Sequence, residues 1–223
     1  MSSTTRSFSR LWLSLALAAA LTTTTSVALA ESGRGHAMAH PAVAEVTPVT
    51  VASGTYQLDP THTNVLVQWN HMGFSNPVAH FGIAEGTLVF DADDVSRSSV
   101  EVTLPLSALN SFSERFDQHL KGPDFFNAAQ FPNITFKSTE VSSAGTNRLN
   151  VVGDLTVKDT THSVTLEVMI NGAGEHPMAK VPSVGFDART SFKRSDFGLG
   201  AYAPNVSDNI RIRISTEGKQ ASK

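Results

Sequence analysis

Side chains able to do chemistry are thinly spread along this chain of 223 residues, and their spacing limits what each could do. His71 falls on the same side of its segment as Val65, Val67 and Trp69. It is therefore expected to point inward, as a donor to a ligand head group or as a satisfied core histidine. Arg194 and Asp196 follow an apolar stretch; together they could anchor an anionic or hydroxyl head group, and Arg-x-Asp after a strand equally makes a turn-stabilising contact. Arg115, Asp117 and His119 lie between apolar positions of a helical pattern, the arrangement of a solvated face. Asp59, Asp91, Asp93 and Asp94 occupy turn positions, where aspartate bonds its own backbone, and the last three lack the spacing of a calcium loop. His36 and His40 have a His-x3-His spacing, but Pro41 and nearby glycines oppose the helix that would join them on a metal. No Gly-x-Ser-x-Gly elbow, phosphate-binding glycine loop or His-Glu-x-x-His run occurs. Nothing in the set calls for a catalytic residue, a metal or a cofactor.

The elements that must position these residues are short segments with an apolar side chain at every second position. They are Asn64 to His71, Ala84 to Phe90, Ser99 to Leu106, Asn133 to Ser138, Leu149 to Val157, Ser163 to Ile170, Val184 to Phe192 and Asn209 to Ser215. Period-two alternation gives strands with one dry and one wet face. The expected fold class is all-β, and an antiparallel sheet with so little helix hides its dry face either under a second sheet or by closing into a barrel. An eight-stranded barrel is filled by its side chains or holds one small ligand.

One helical passage breaks the pattern, from Leu109 to Ala129. Ser113 is its expected N-cap, Phe116 and Leu120 form an i, i+4 apolar pair, and Gly122-Pro123 stops it. A second turn, Asp124 to Ala129, carries Phe125 and Phe126. Many of the 13 phenylalanines lie outside the alternation, among them Phe74, Phe81, Phe112, Phe131 and Phe197. Loops are ordinarily polar, so these rings either plug a barrel end or line the mouth through which an apolar ligand enters.

Residues 1 to 30 have the pattern of a cleaved secretory signal: Arg6 and Arg10, an apolar run from Leu11 to Leu21, and Ala28-Leu29-Ala30. The run is shorter than the ~20 residues of a membrane span. Export to the periplasm or outside the cell is the expectation. Cleavage before Glu31 leaves 15 Lys and Arg against 20 Asp and Glu, a charge of about −5 that disfavours nucleic acid and anionic membrane as partners. The absence of cysteine removes disulfides and thiolate chemistry, so the fold rests on its core. Residues 31 to 54 read as a flexible lead segment, 55 to 218 as one domain, and 219 to 223 as a disordered tail.

Ordered motifs run through that domain. They are Tyr56-Gln57-Leu58-Asp59-Pro60-Thr61-His62-Thr63, His71-Met72-Gly73-Phe74-Ser75, Phe81-Gly82, His119-Leu120 and Asp124-Phe125-Phe126-Asn127. Phe131-Pro132-Asn133-Ile134-Thr135-Phe136, Gly153-Asp154-Leu155-Thr156-Val157, Arg194-Ser195-Asp196-Phe197-Gly198-Leu199 and Val206-Ser207-Asp208 follow. In this order and spacing the chain resembles the YceI-like family of exported, lipocalin-like, polyisoprenoid-binding proteins. The resemblance implies an antiparallel eight-stranded lipocalin-like barrel with one or two short helices in a connecting loop. It also implies an elongated apolar pore that takes up a long-chain isoprenoid or a similar lipid, such as a fatty acid or amide, without chemistry on it.

The residues expected to meet that ligand are Val67, Trp69, Phe136, Phe186 and Phe192 on strands and Phe116 and Leu120 on the helix. Phe74, Phe81, Phe112, Phe125, Phe126 and Phe197 would join them from loops, with His71 and Arg194 at the mouth. Two departures from the family pattern are expected to alter barrel ends: Lys158-Asp159-Thr160-Thr161 in place of a glycine tip, giving a longer or reshaped hairpin, and a loop-like stretch from Gly172 to Pro182. A side-chain-filled barrel with a structural or stress-related role, and an enzyme acting on lipid-linked substrates, are the other readings. The sequence leaves open whether two copies pair as a homodimer.

Overall fold

Alternation in the sequence becomes a closed antiparallel barrel in the computed structural model, which describes residues 46–83 and 85–221. The signal segment, most of the lead segment with His36 and His40, and the last two residues lie outside the described residues. The strands are β1 (Gly54–Leu58), β2 (Asn64–Gln68), β3 (Val78–Phe81), β4 (Glu85–Phe90), β5 (Ser99–Pro105), β6 (Asn133–Gly145), β7 (Arg148–Val157), β8 (Thr160–Glu175), β9 (Pro182–Lys193) and β10 (Asn209–Gln220). One α-helix, α1 (Glu114–Lys121), lies in the β5–β6 connection.

Hydrogen-bonded neighbours run β1-β4-β5-β6-β7-β8-β9-β10-β2-β3, and β1 also pairs with β10, which closes the ring. The ten strands make eight staves because two staves are interrupted. β10 pairs with β2 over Arg211–Ser215 and with β1 over Gly218–Gln220, so β1 and β2 follow each other along one line. The break between them is a short 3-10 turn, Pro60–His62, capped by Asp59, whose carboxylate accepts from the Thr61 N–H. β3 and β4 share the next line, β3 against β2 and β4 against β1.

A β-bulge in each of two strands explains why the alternation breaks off before the strand ends. β6 shifts register between Ser138 and Glu140, so its buried positions change from Ile134 and Phe136 to Val141. β8 does the same between Ile170 and Gly172. An extra residue flips the parity of everything beyond it. Both strands therefore outrun their sequence-based limits, and β8 and β9 take up the two ends of the stretch from Gly172 to Pro182, leaving 176–181 as loop. The hairpin at Lys158-Asp159 is short, not long: Val157 pairs directly with Thr160, and Lys158 takes the left-handed conformation at φ 58° that the turn needs.

Strand directions define two barrel ends. At the α1 end lie the β2–β3 loop, the β5–β6 connection, the β7–β8 hairpin and the β9–β10 connection. At the opposite end lie the β4–β5 and β8–β9 connections and the β6–β7 hairpin, together with the chain entering β1. That entering chain corrects the lead segment, because residues just before β1 are fixed to the barrel. Val51 is buried, Val49 donates its N–H to Asn147 Oδ1 at 2.7 Å, and Asn147 Nδ2 donates to Thr47 O at 2.9 Å. Tyr56, almost fully buried, donates its hydroxyl to Ala52 O at 2.7 Å. The expected tail is corrected too: Lys219 and Gln220 belong to β10, where Tyr56 pairs with Gln220 and Gln57 with Lys219.

The helical passage is shorter than its expected span. Ser113 occupies the N-cap without a side-chain bond, and its carbonyl accepts from the Phe116 and Asp117 N–H groups. Asp117 turns back to accept from Ser111 N at 2.6 Å, and the Ser111 hydroxyl holds its carboxyl below the usual range. The residues from Asp124 on form hydrogen-bonded turns, with Asn127 N–H donating to Gly122 O, instead of a second helix.

Candidate ligand-binding tunnel

The inward side chains of the eight staves surround a hollow. On β10 these are Ile210, Ile212, Ile214 and Thr216; on β8, Val164, Leu166 and Val168; on β7, Leu149, Val151, Leu155 and Val157. From Ile210 to Thr216 the wall extends roughly 20 Å at ~3.4 Å per residue. The centre of a water-sized sphere can occupy ≈ 230 Å³ of this space. The barrel is thus hollow, which excludes the filled-barrel expectation. Gly153, on the inward side of β7, leaves the space taken by the Phe136 ring.

Among the described residues, no carboxylate, carboxamide, imidazole or lysine lines the hollow. Its few polar groups are largely committed elsewhere. Thr63 donates to Asp59 O at 2.7 Å and lies 2.7 Å from the Thr216 hydroxyl, and Ser98 Oγ accepts from Asp91 N at 2.9 Å. Arg194, 8% exposed, is the wall's one charged residue. Its Nε donates to Ser207 O and one Nη to Val206 O, each at 2.9 Å, and the other Nη donates to Leu199 O. Burial pushes its guanidinium down from its usual value, and nearby Asp208 opposes that shift. Asp208 itself binds Ser195, through N at 2.9 Å and Oγ at 2.7 Å, which lowers its carboxyl. The expected partner Asp196 instead offers its carbonyl to His162 Nε2. Arg194 is therefore a staple for the β9–β10 connection, the structural one of its two readings.

The structure sorts the other expected contacts. Val67, Phe81, Phe126, Phe136, Phe186, Phe192 and Phe197 line the hollow with Arg194. Trp69 does not; it packs on Phe116, ring centroids 5.8 Å apart. Leu120 is buried and Phe125 half-buried beside the core, both outside the tunnel wall. His71 is exposed rather than inward, because β2 ends at Gln68 and the chain then turns, His71 donating its N–H to Ser75 O at 2.8 Å. Strand parity carries no information past that point. Phe74 and Phe112 are exposed as well.

Sequence reasoning favoured rings and missed the aliphatic wall. Leu58, Val65, Ile83, Leu88 and Leu104 all face the hollow. The signal for most of them was the alternation itself.

A closed antiparallel barrel around an apolar hollow, with a helix in one connection, defines a lipocalin-like barrel. The YceI-like domain profile matches residues 56–218, and the chain belongs to that family. Protein YceI of Salmonella arizonae is 31% identical over 176 residues, spanning 78% of this chain and 91% of that protein. The fold is shared with BcnA of Burkholderia cenocepacia, with a TM-score of 0.65 at 24% identity over 72% of this chain and 98% of that one. It is shared also with a polyisoprenoid binding domain from Saccharophagus degradans, with a TM-score of 0.55 at 11% identity over 74% of this chain and 98% of that one.

Proposed function

We propose that this protein is an exported, non-catalytic carrier that holds a long-chain isoprenoid or a similar single-chain amphiphile along the barrel axis. The observation that carries the reading is the tunnel wall: aliphatic and aromatic but for a few hydroxyls, with its one guanidinium bonded to backbone carbonyls. Such a wall offers burial and no group to react. Each buried methylene contributes ~0.8 kcal/mol, so about five isoprene units would offset an association cost on the order of 4–15 kcal/mol. A missing methylene changes binding by only ~1–3 kcal/mol; selectivity then follows chain width and length. The polyisoprenoid binding named for the Saccharophagus domain agrees with this reading. The sequence from Arg6 to Ala30 supports export.

A chloroform extract of protein purified from its native host tests the proposal. Mass spectrometry should find a long-chain amphiphile in stoichiometric amount, and a lipid-free extract would count against a carrier. Sequencing the mature N-terminus from the cell envelope tests export, with Glu31 expected first.

A further inference from the structure

We propose that the α1 end of the barrel docks on a lipid bilayer and seats Met72, Phe74, Phe112 and Tyr202 in the interface; this rests on the lipid-carrier reading above. These four are the large apolar side chains exposed in the loops of that end, at 51%, 89%, 74% and 60%. They project from three connections: the β2–β3 loop, the approach to α1, and the β9–β10 connection.

Their backbones argue against accidental exposure. Met72, Phe112 and Tyr202 have φ of 54°, 64° and 65°, a region that favours glycine or asparagine. The turns that impose those angles are well bonded. Met72 N–H donates to Asn205 O at 2.9 Å, tying the first loop to the third, and Phe112 N–H donates to Asn110 Oδ1 at 2.8 Å. Large apolar side chains thus stand where a small polar one would remove both strain and exposure, held out by ordered turns.

Continuity with the tunnel selects a bilayer as the occupant. Tyr202 stacks on Phe125, centroids 6.2 Å apart; Phe125 is followed by Phe126, and Phe126 meets Phe81 edge-on at 5.8 Å. The last two line the tunnel. An apolar path therefore leads from the exposed rim to the hollow, so a lipid chain could pass between bilayer and barrel without crossing water. Among the described residues the connections of the opposite end expose Met178 and Val46 but no aromatic ring, and Val51 and Tyr56 there are buried in the core. Aromatic rings suit the membrane interface. Around α1 the carboxylates Glu114, Asp117 and Asp124 outnumber the cations Arg115 and Lys121. Docking is therefore by ring insertion into zwitterionic lipid, not by attraction to anionic head groups.

Flotation of the full mature chain with phosphatidylcholine vesicles tests this. Wild type should float, and Phe74→Ser combined with Phe112→Ser should reduce the floated fraction at least tenfold, with melting unchanged because both rings are exposed. Raising salt from 0.1 to 0.5 M should leave flotation intact. Uptake of cis-parinaric acid added without vesicles should be equal in both proteins. Wild type that stays in solution, a double variant that floats as well, or flotation abolished by salt would each overturn the proposal. So would a double variant that shifts a dimer to monomer in sedimentation, since the patch would then join two copies. Normal uptake with no flotation removes docking alone; flotation with no uptake removes the carrier reading on which docking rests.

Discussion

The Lys219 ammonium lies 2.8 Å from Asp59 Oδ2, across the seam where the first stave meets the last. Asp59 also accepts from the Thr61 hydroxyl at 2.6 Å and sits 2.9 Å from His62 Nδ1. One carboxylate thus holds both the break between β1 and β2 and the closure onto β10. The Lys219 contact is the largest cause holding its pKa well below the usual carboxylate range, followed by Thr61 and His62.

A carboxyl whose folded pKa is depressed stabilises fully above its unfolded value of ~3.9, and that contribution is lost as pH falls below it toward the folded value. Asp59→Asn should therefore cost about 1–2 kcal/mol at neutral pH. Its deficit against wild type should shrink in urea melts near pH 3. A deficit that stays constant between those pH values would show that the bonds matter only through shape.

Gly153 tests packing inside the barrel wall. A methyl group there would stand 2.5 Å from Phe136 Cζ and 2.6 Å from Lys137 O, and the second contact is backbone that cannot swing away. Gly153→Ala should destabilise by roughly 1–3 kcal/mol, read as a lower melting temperature. A variant melting like wild type would mean that β6 and β7 separate freely.

Most of the barrel was legible because its cause is local: a strand buried on one face must alternate. Ile210, Ile212 and Ile214 announce β10, and Leu149 through Val157 announce β7. What escaped were places where alternation is absent or reset. β1 has only Tyr56 and Leu58 to mark it; β3 has four residues; β6 and β8 change parity at bulges. The extension of β10 past Ser215 runs through Thr216 and Gly218, which face inward without being apolar. His71 was misread by carrying parity one turn too far. The wall was readable in principle, yet a ring outside the strands, such as Phe74, carries no mark distinguishing rim from lining.

Arg194 separates a staple from an anchor. Its three bonded carbonyls, on Leu199, Val206 and Ser207, fan out in a geometry that the planar guanidinium matches and a lysine ammonium does not. Arg194→Lys keeps the charge and leaves buried acceptors unpaired, at about 1–3 kcal/mol for such a group. Melting should fall accordingly, while uptake of an apolar probe measured well below the melting temperature should stay within about twofold. Uptake lost in a protein that melts like wild type would instead make Arg194 a ligand anchor.

Ala188 tests the tunnel itself. It lies near the middle of β9's inward row, opposite Val168 on β8 and Ile214 on β10, and its small side chain borders the hollow. Ala188→Trp would place an indole where a ligand chain must pass. Because the ring enters empty space rather than a filled core, the strain of overpacking is reduced, and the added apolar area contributes at about 25 cal/mol per Å² buried. Melting should hold or rise, and uptake of cis-parinaric acid should drop at least tenfold. The neighbouring Asp187 points outward and is exposed, so Asp187→Trp adds the same ring to the outer surface and should leave uptake unchanged. A folded Ala188→Trp protein that still takes up the probe would place the ligand outside the barrel.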